Sequence, residues 1–341
     1  MSVSSDLLYY NNIDGNYIES IRHTIVDKTI NDVLSVYRSV CSNLNNRSID
    51  VDDPNIISYH SSLRGRIWQL LLAPCTSYRS ITLYQQYSSE YIELCELGSH
   101  PVKYEKIRVD SARTFPQDPS YNAAVDCKSL IRLLNAFTHK NNNNHATQSF
   151  TYIQGMNTLA ATFLYVLNEL DAYYMFSELL CVYIPLYYQS SHIGVNAGCK
   201  LVDEILRECD AELYSKLLVQ HELQAYIYAF SAVSSLCTSV LPLDAAVIVW
   251  DWLLAAKCPA LNIVCVAAQL IMTRDKLLSS TQPKSILDYR VWPQSSASDI
   301  IRYSNKLIAT LNNTNPVLLH DIVHHATDVN VSEKHAGRKF H

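Results

Sequence analysis

The chain has 341 residues, 17% of them charged and 48% hydrophobic, with a formal net charge of −5. Disordered chains combine low hydrophobicity with high net charge, so this composition excludes them. The mild acidity excludes a dedicated nucleic-acid binder, which carries a strongly basic surface. Only 7 residues are Gly, about 2% against the usual roughly 7%. Sheet-rich and dinucleotide-binding folds need Gly at their turns, so an all-α chain is expected.

In chain order, residues 7 to 45 read as broken helix, with Val33, Val36 and Val40 at helical spacing, and Asp52-Asp53-Pro54 as a turn. Leu63, Ile67, Leu70 and Leu71 share one helical face, ended by Pro74. A Tyr-rich helix runs from Tyr78 to Leu97, closed by Gly98 and Pro101. Shorter helices follow over Tyr104–Thr114 and Asn122–Thr138. The polar stretch from His139 to Ser149, with its Asn run, reads as an exposed loop.

Asn157 is placed to cap a helix through Leu167. Further helices are expected over Ala172–Tyr183, Gly198–Glu208, Glu212–Val219, Ala225–Ser235, Leu243–Ala256, Ile263–Lys276 and Ser298–Leu311. The polar tail from Asp328 to His341 reads as frayed. No fixed repeat recurs, so a solenoid is disfavoured. The expected domains are a helical extension over 1–58, a main domain over 59–292 and a helix with a flexible tail over 293–341. The main domain is expected as a helical globule of two packed subdomains.

The 10 cysteines contain no CxxC pair, so zinc-ribbon spacing is absent and they read as small buried hydrophobes in a reducing compartment. No signal peptide and no prenylation box is read at the termini. The longest apolar runs fall short of the ~18 residues needed to span a bilayer. A soluble, cytoplasmic protein without direct membrane insertion is expected. The 23 Tyr, clustered at Tyr173-Tyr174 and Tyr187-Tyr188, suit half-buried helix positions with hydroxyls in water, or a partner surface.

Four segments stand out. In Lys106-Ile-Arg-Val-Asp-Ser-Ala-Arg-Thr-Phe-Pro116, residues Ile107, Asp110 and Arg113 fall on one broad helix face. Pro116 disfavours helix at Phe115, which puts Arg113 on the last turn. Alone, this is an Arg complementing a helix C-terminus; a protruding guanidinium also fits phosphate oxygens. In Thr151-Tyr-Ile-Gln-Gly-Met-Asn157, Gln154 precedes a helix and Gly155 permits close backbone approach. Alone, this is a capping turn with a solvent-facing amide. In Arg64-Gly-Arg-Ile-Trp68, Trp68 reads as a core anchor and Arg64 as the partner of an acid. Trp250-Asp-Trp252 reads as core packing.

Taken together, these segments resemble the TBC domain family of GTPase-activating proteins for Rab-type small GTPases. The family order of Arg-x-x-x-Trp, Ile-x-x-Asp-x-x-Arg and Tyr-x-Gln-Gly is matched by Arg64 to Trp68, Ile107 to Arg113 and Tyr152 to Gly155. Residues of about 60 to 290 are covered. The mitotic-exit and septation branch is resembled more closely, through Tyr152-Ile-Gln-Gly-Met-Asn, Gly194-Val-Asn-Ala-Gly, Glu212-Leu-Tyr, Leu223-Gln-Ala-Tyr-Ile-Tyr-Ala-Phe and Leu261-Asn-Ile-Val-Cys-Val-Ala-Ala. The chain departs from the family at Ser231-Ala-Val-Ser-Ser, where many members carry a Trp, and at the Asn-rich insertion.

The resemblance implies an all-α TBC fold and a Rab-like small GTPase as partner. It implies Arg113 as an arginine finger supplied in trans, worth about 10³ to 10⁵ in rate, or roughly 4 to 7 kcal/mol of barrier. It implies Gln154 as the group orienting the attacking water and Asp110 as the holder of Arg113. Tyr152 and Gly155 would shape the turn, and Ile107, Arg64 and Trp68 would support the site. No cofactor of its own is implied, since GTP and Mg²⁺ belong to the partner, and the chain carries no GxxxxGK[ST] loop. A separate scaffold subunit is a partner common in that branch, and a spindle-pole or cytoskeletal location follows from the same resemblance.

Two other readings compete. The same fold could act as a catalytically inactive scaffold that binds a GTPase or a partner subunit. A metal enzyme would draw on His139, His145, His324 and His325, whose spacing fits no ligand set.

Overall fold

The computed structural model describes residues 62–72, 81–97, 101–143, 152–189 and 191–337. The expected helix over 7 to 45, the Asp52–Pro54 turn and the 1–58 extension lie outside the described residues. Among the described residues there is helix and turn but no strand, as the Gly scarcity led one to expect. No helix among them is long and apolar enough to cross a membrane.

The chain divides into two compact units. One holds 160–178 and 254–257 together with everything described before 145; the other holds the remainder. The first contains α1 (Leu63–Leu72), α2 (Ile81–Glu96), α3 (Pro101–Ala112), α4 (Pro119–Ala124) and α5 (Cys127–Asn143). The segment expected as one helix from Asn122 is thus two. Asp118 caps α4 by accepting from the Tyr121 N–H at 2.9 Å, and Asp126 accepts from Lys128 N–H at 3.1 Å to start α5 afresh. The helix α5 also runs through Asn143, so the first half of the expected loop is helical. Asn141 donates its amide to the Phe137 carbonyl at 2.8 Å, which keeps a polar residue compatible with the last turns.

Helix α6 (Met156–Val166) is followed by α7 (Glu169–Glu178) and a π-helical turn, Leu179–Tyr183. Ser62 grips the end of α6 with two hydrogen bonds to the Val166 carbonyl, from N–H at 2.9 Å and from Oγ at 2.6 Å. The same hydroxyl accepts from Gly65 N–H at 3.1 Å and so opens α1. Cys181, in the π turn, and Cys127, at the start of α5, are exposed, which corrects their reading as buried hydrophobes. Cys199, Cys237 and Cys265 are buried as expected.

The second unit is built on α8 (Ile193–Cys209), with α9 (Leu243–Ala255), α10 (Asn262–Met272), α11 (Ala297–Thr314), α12 (Pro316–His324) and α13 (Val329–Ala336). Every residue of α10 from Asn262 to Leu270 is buried, so it is the central helix of this core. Trp250 is fully buried and donates its indole N–H to the Leu236 carbonyl at 3.0 Å.

Two expectations for this unit are corrected. The tail read as frayed forms α13, capped by Asp328 and packed against α8 with Val331 and Ser332 buried. His335 lies between the Asp321 and Glu204 carboxylates, at 2.8 and 3.3 Å, and gives this polar helix its anchor. Tyr187 and Tyr188 are fully buried rather than half-buried. Their hydroxyls find partners inside: Tyr187 meets Asn262 and His325, and Tyr188 donates to the Ser234 carbonyl.

Candidate functional site

The Arg113 segment is built by the end of α3. Ile107 is fully buried and fixes the inner face of the helix. The helix ends at Ala112, one residue before Arg113, because the Thr114 hydroxyl takes the Asp110 carbonyl at 2.8 Å. Phe115 then adopts a positive φ of 44° ahead of Pro116, which deflects the chain. Phe115 packs edge-on against Tyr121 of α4, with ring centroids 5.2 Å apart. Arg113 therefore stands at a turn held on both sides. Its guanidinium lies 2.5 Å from the buried Asp110 carboxylate, while about half of its side chain remains in solvent.

The Gln154 segment is built by the start of α6. Gly155 has a φ of +104°, a backbone conformation that only glycine takes without strain. Asn157 is buried and does not cap the helix as expected. Its Oδ1 instead reaches back to accept from Gly155 N–H at 3.1 Å, with the Tyr152 hydroxyl at 3.5 Å. Thr158 Oγ donates to the Gly155 carbonyl at 2.9 Å. Tyr152 is buried and Gln154 is exposed. The turn is thus braced from inside and presents a carboxamide to solvent, which can donate and accept at once.

Trp68 is fully buried and meets Phe163 edge-on, with centroids 5.8 Å apart. Arg64 is partly exposed on the same helix. Gly65, between them in function, was missed by the sequence reading. A Cβ there would stand 2.3 Å from the Val166 carbonyl oxygen, so α1 and the end of α6 touch backbone to backbone. A Gly inside a helical pattern was the available signal.

Arg113 belongs to the first compact unit and Gln154 to the second. Of the histidines considered for a metal, His145 lies outside the described residues, and His324 and His325 take other roles. His325 is buried against Tyr187 with its Nδ1 at 2.7 Å from the Ile322 carbonyl, and burial pushes its pKa down to about 4. His324 is stacked on His320. Among the described residues no group of three or more His, Cys, Asp or Glu could hold a metal ion.

The Rab-GTPase-TBC domain model matches residues 61–278, so the chain belongs to the Rab-GTPase-TBC domain family. Within it, the chain is 34% identical over 271 residues to Cell division control protein 16 of Schizosaccharomyces pombe, covering 79% of this chain and 82% of that one. It is 34% identical over 253 residues to Mitotic check point protein BUB2 of Saccharomyces cerevisiae, covering 72% and 80%. A relative from Dictyostelium discoideum is 37% identical over 250 residues, and the chain spans only 63% of that longer protein. The fold matches the crystal structure of the Ypt/Rab-GAP domain of Gyp1p with a TM-score of 0.61 and 19% identity, over 73% of this chain and 88% of that one.

Proposed function

We propose that this protein is a GTPase-activating protein for a Rab-like small GTPase, acting in mitotic-exit or cytokinesis signalling. The observation that carries the reading is Arg113, exposed at the end of α3 and oriented by a buried carboxylate. Membership of the Rab-GTPase-TBC family and the likeness to two cell-division proteins support it.

Small GTPases hydrolyse GTP slowly because charge develops on the phosphoryl oxygens with too little to offset it. A planar, permanently charged guanidinium delivered to those oxygens supplies that stabilisation. Asp110 restricts Arg113 before docking, so less side-chain freedom is lost on arrival. Gln154 aligns the attacking water, replacing the partner's own glutamine. Asn157 and Gly155 hold the turn from which it acts. The GTP and Mg²⁺ are the partner's, and this chain contributes no cofactor. Work with a separate scaffold subunit, at the spindle pole or cytoskeleton, is part of the same reading and is supported by the resemblance to mitotic relatives alone.

Single-turnover GTP hydrolysis across a panel of Rab-like GTPases tests the proposal. Stimulation by wild type that disappears in both Arg113→Ala and Gln154→Ala is the expected result. Full stimulation by both folded variants overturns the assignment. Binding without rate change across the panel would leave a scaffold.

A further inference from the structure

We propose that Tyr188 is a positioning residue for Gln154, its buried hydroxyl forming the stop against which the Gly155 turn is set. The proposal rests on the reading of Gln154 as a trans-acting group. Position 155 carries no side chain, and among the described residues its open face looks at one atom. A Cβ built there would lie 3.6 Å from Tyr188 Oη, with no other heavy atom of the described residues within 4 Å beyond its chain neighbours. The turn bearing Gln154 can therefore sink only as far as that hydroxyl allows.

The hydroxyl is itself fixed. The Tyr188 ring is 1% exposed, and its O–H donates to the Ser234 carbonyl at 2.6 Å. Burial raises its pKa far above the ordinary phenol value, so it stays a protonated donor. Ser234 ends the short helix Phe230–Ser234, and the chain beyond it is locked. Leu236 and Cys237 both hold positive φ, at 50° and 69°. Such residues persist only where their surroundings over-determine them. Here Trp250 donates to the Leu236 carbonyl at 3.0 Å, and Cys237 N–H donates to the Ala232 carbonyl at 2.7 Å. The adjacent Tyr187 turns away into a separate network with Asn262 and His325. Asn157 thus holds the turn from within, and Tyr188 limits it from below. A group acting at a distance of one hydrogen bond needs both constraints, since a 1 Å misplacement costs up to about 10²-fold in rate.

The test is single-turnover hydrolysis with a responsive Rab-like GTPase. Tyr188→Phe should lower the maximal stimulated rate roughly tenfold, with the GTPase concentration for half-maximal effect unchanged. Replacing Tyr188 with 4-aminophenylalanine, which keeps a para donor, should restore the rate. Replacing it with 4-fluorophenylalanine, which fills the space without donating, should reproduce the loss and serves if Tyr188→Phe does not fold.

A normal rate for Tyr188→Phe overturns the proposal, as does a weakened half-maximal concentration at unchanged maximal rate. A failure of 4-aminophenylalanine to rescue does the same. A normal rate for Gln154→Ala itself overturns the underlying reading instead.

Discussion

Asp110 and Arg113 form an ion pair of unequal burial: the carboxylate is 4% exposed and the guanidinium side chain 55% exposed, at 2.5 Å. The acid is the fixed half and the arginine the reaching half. Arg113→Ala is expected to remove about 10³ to 10⁵ of stimulated hydrolysis with the fold intact. Asp110→Asn keeps a polar group but drops the charge. The expected loss is about 5- to 30-fold, the roughly 1 to 2 kcal/mol of side-chain freedom that Arg113 would regain. Single-turnover rates, read beside circular dichroism, check both.

Asn157 closes the Gln154 turn on itself by accepting the Gly155 N–H. Asn157→Ala leaves that part-buried donor and the buried Tyr152 hydroxyl without this acceptor, so a loss of about 1 to 3 kcal/mol is expected. Asn157→Asp keeps the acceptor oxygen and should lose less. Urea midpoints of the three proteins give the order.

Gly65 touches the Val166 carbonyl oxygen across the start of α1. Gly65→Ala forces a Cβ to 2.3 Å from that oxygen and 2.6 Å from a Leu167 methyl. Helix α1 must move, at an expected loss of about 1 to 3 kcal/mol or more. A lowered thermal midpoint, with Arg113 and Gln154 chemically untouched, is the expected outcome.

Two histidines give the second unit opposite responses to pH. Burial lowers the pKa of His325 to about 4, against about 6.5 in the unfolded chain. The unfolded state then binds the extra proton first, so stability is lost as pH falls from about 6.5 toward 4, by up to roughly 3 kcal/mol. His335 is partly desolvated, which lowers its pKa, but the Glu204 and Asp321 carboxylates outweigh this and raise it. Lys334 also pairs with Asp321, His320 Nδ1 lies 3.6 Å from the same carboxylate, and Arg207 and Lys200 act on Glu204. Its contribution is complete below about pH 6.5 and is lost as pH rises through the raised folded value. His335→Gln should flatten the alkaline limb of a urea-midpoint profile, and His325→Gln the acid limb.

Much of this was legible along the chain. The scarcity of Gly and the 3.6-residue periodicity set the all-α class, and Pro116 set the end of the Arg113 helix within two residues. The three short motifs carried the family, because each keeps its chemistry-bearing residues within one or two helical turns. The breaks were less legible: the restart at Asp126 and the helical Asn141 depend on single side-chain hydrogen bonds that compete with ordinary propensity.

What the sequence by itself determined is the fold class and the residues of the three motifs, since local spacing is fixed by helix geometry. Only the tertiary structure decided which of them are held and by what. Gly65 is needed because a second helix end lies against it, Tyr188 is buried because Ser234 offers it a carbonyl, and α13 forms because two carboxylates from other helices receive His335. All of those partners but Asp321 lie far along the chain, where no local pattern could announce them.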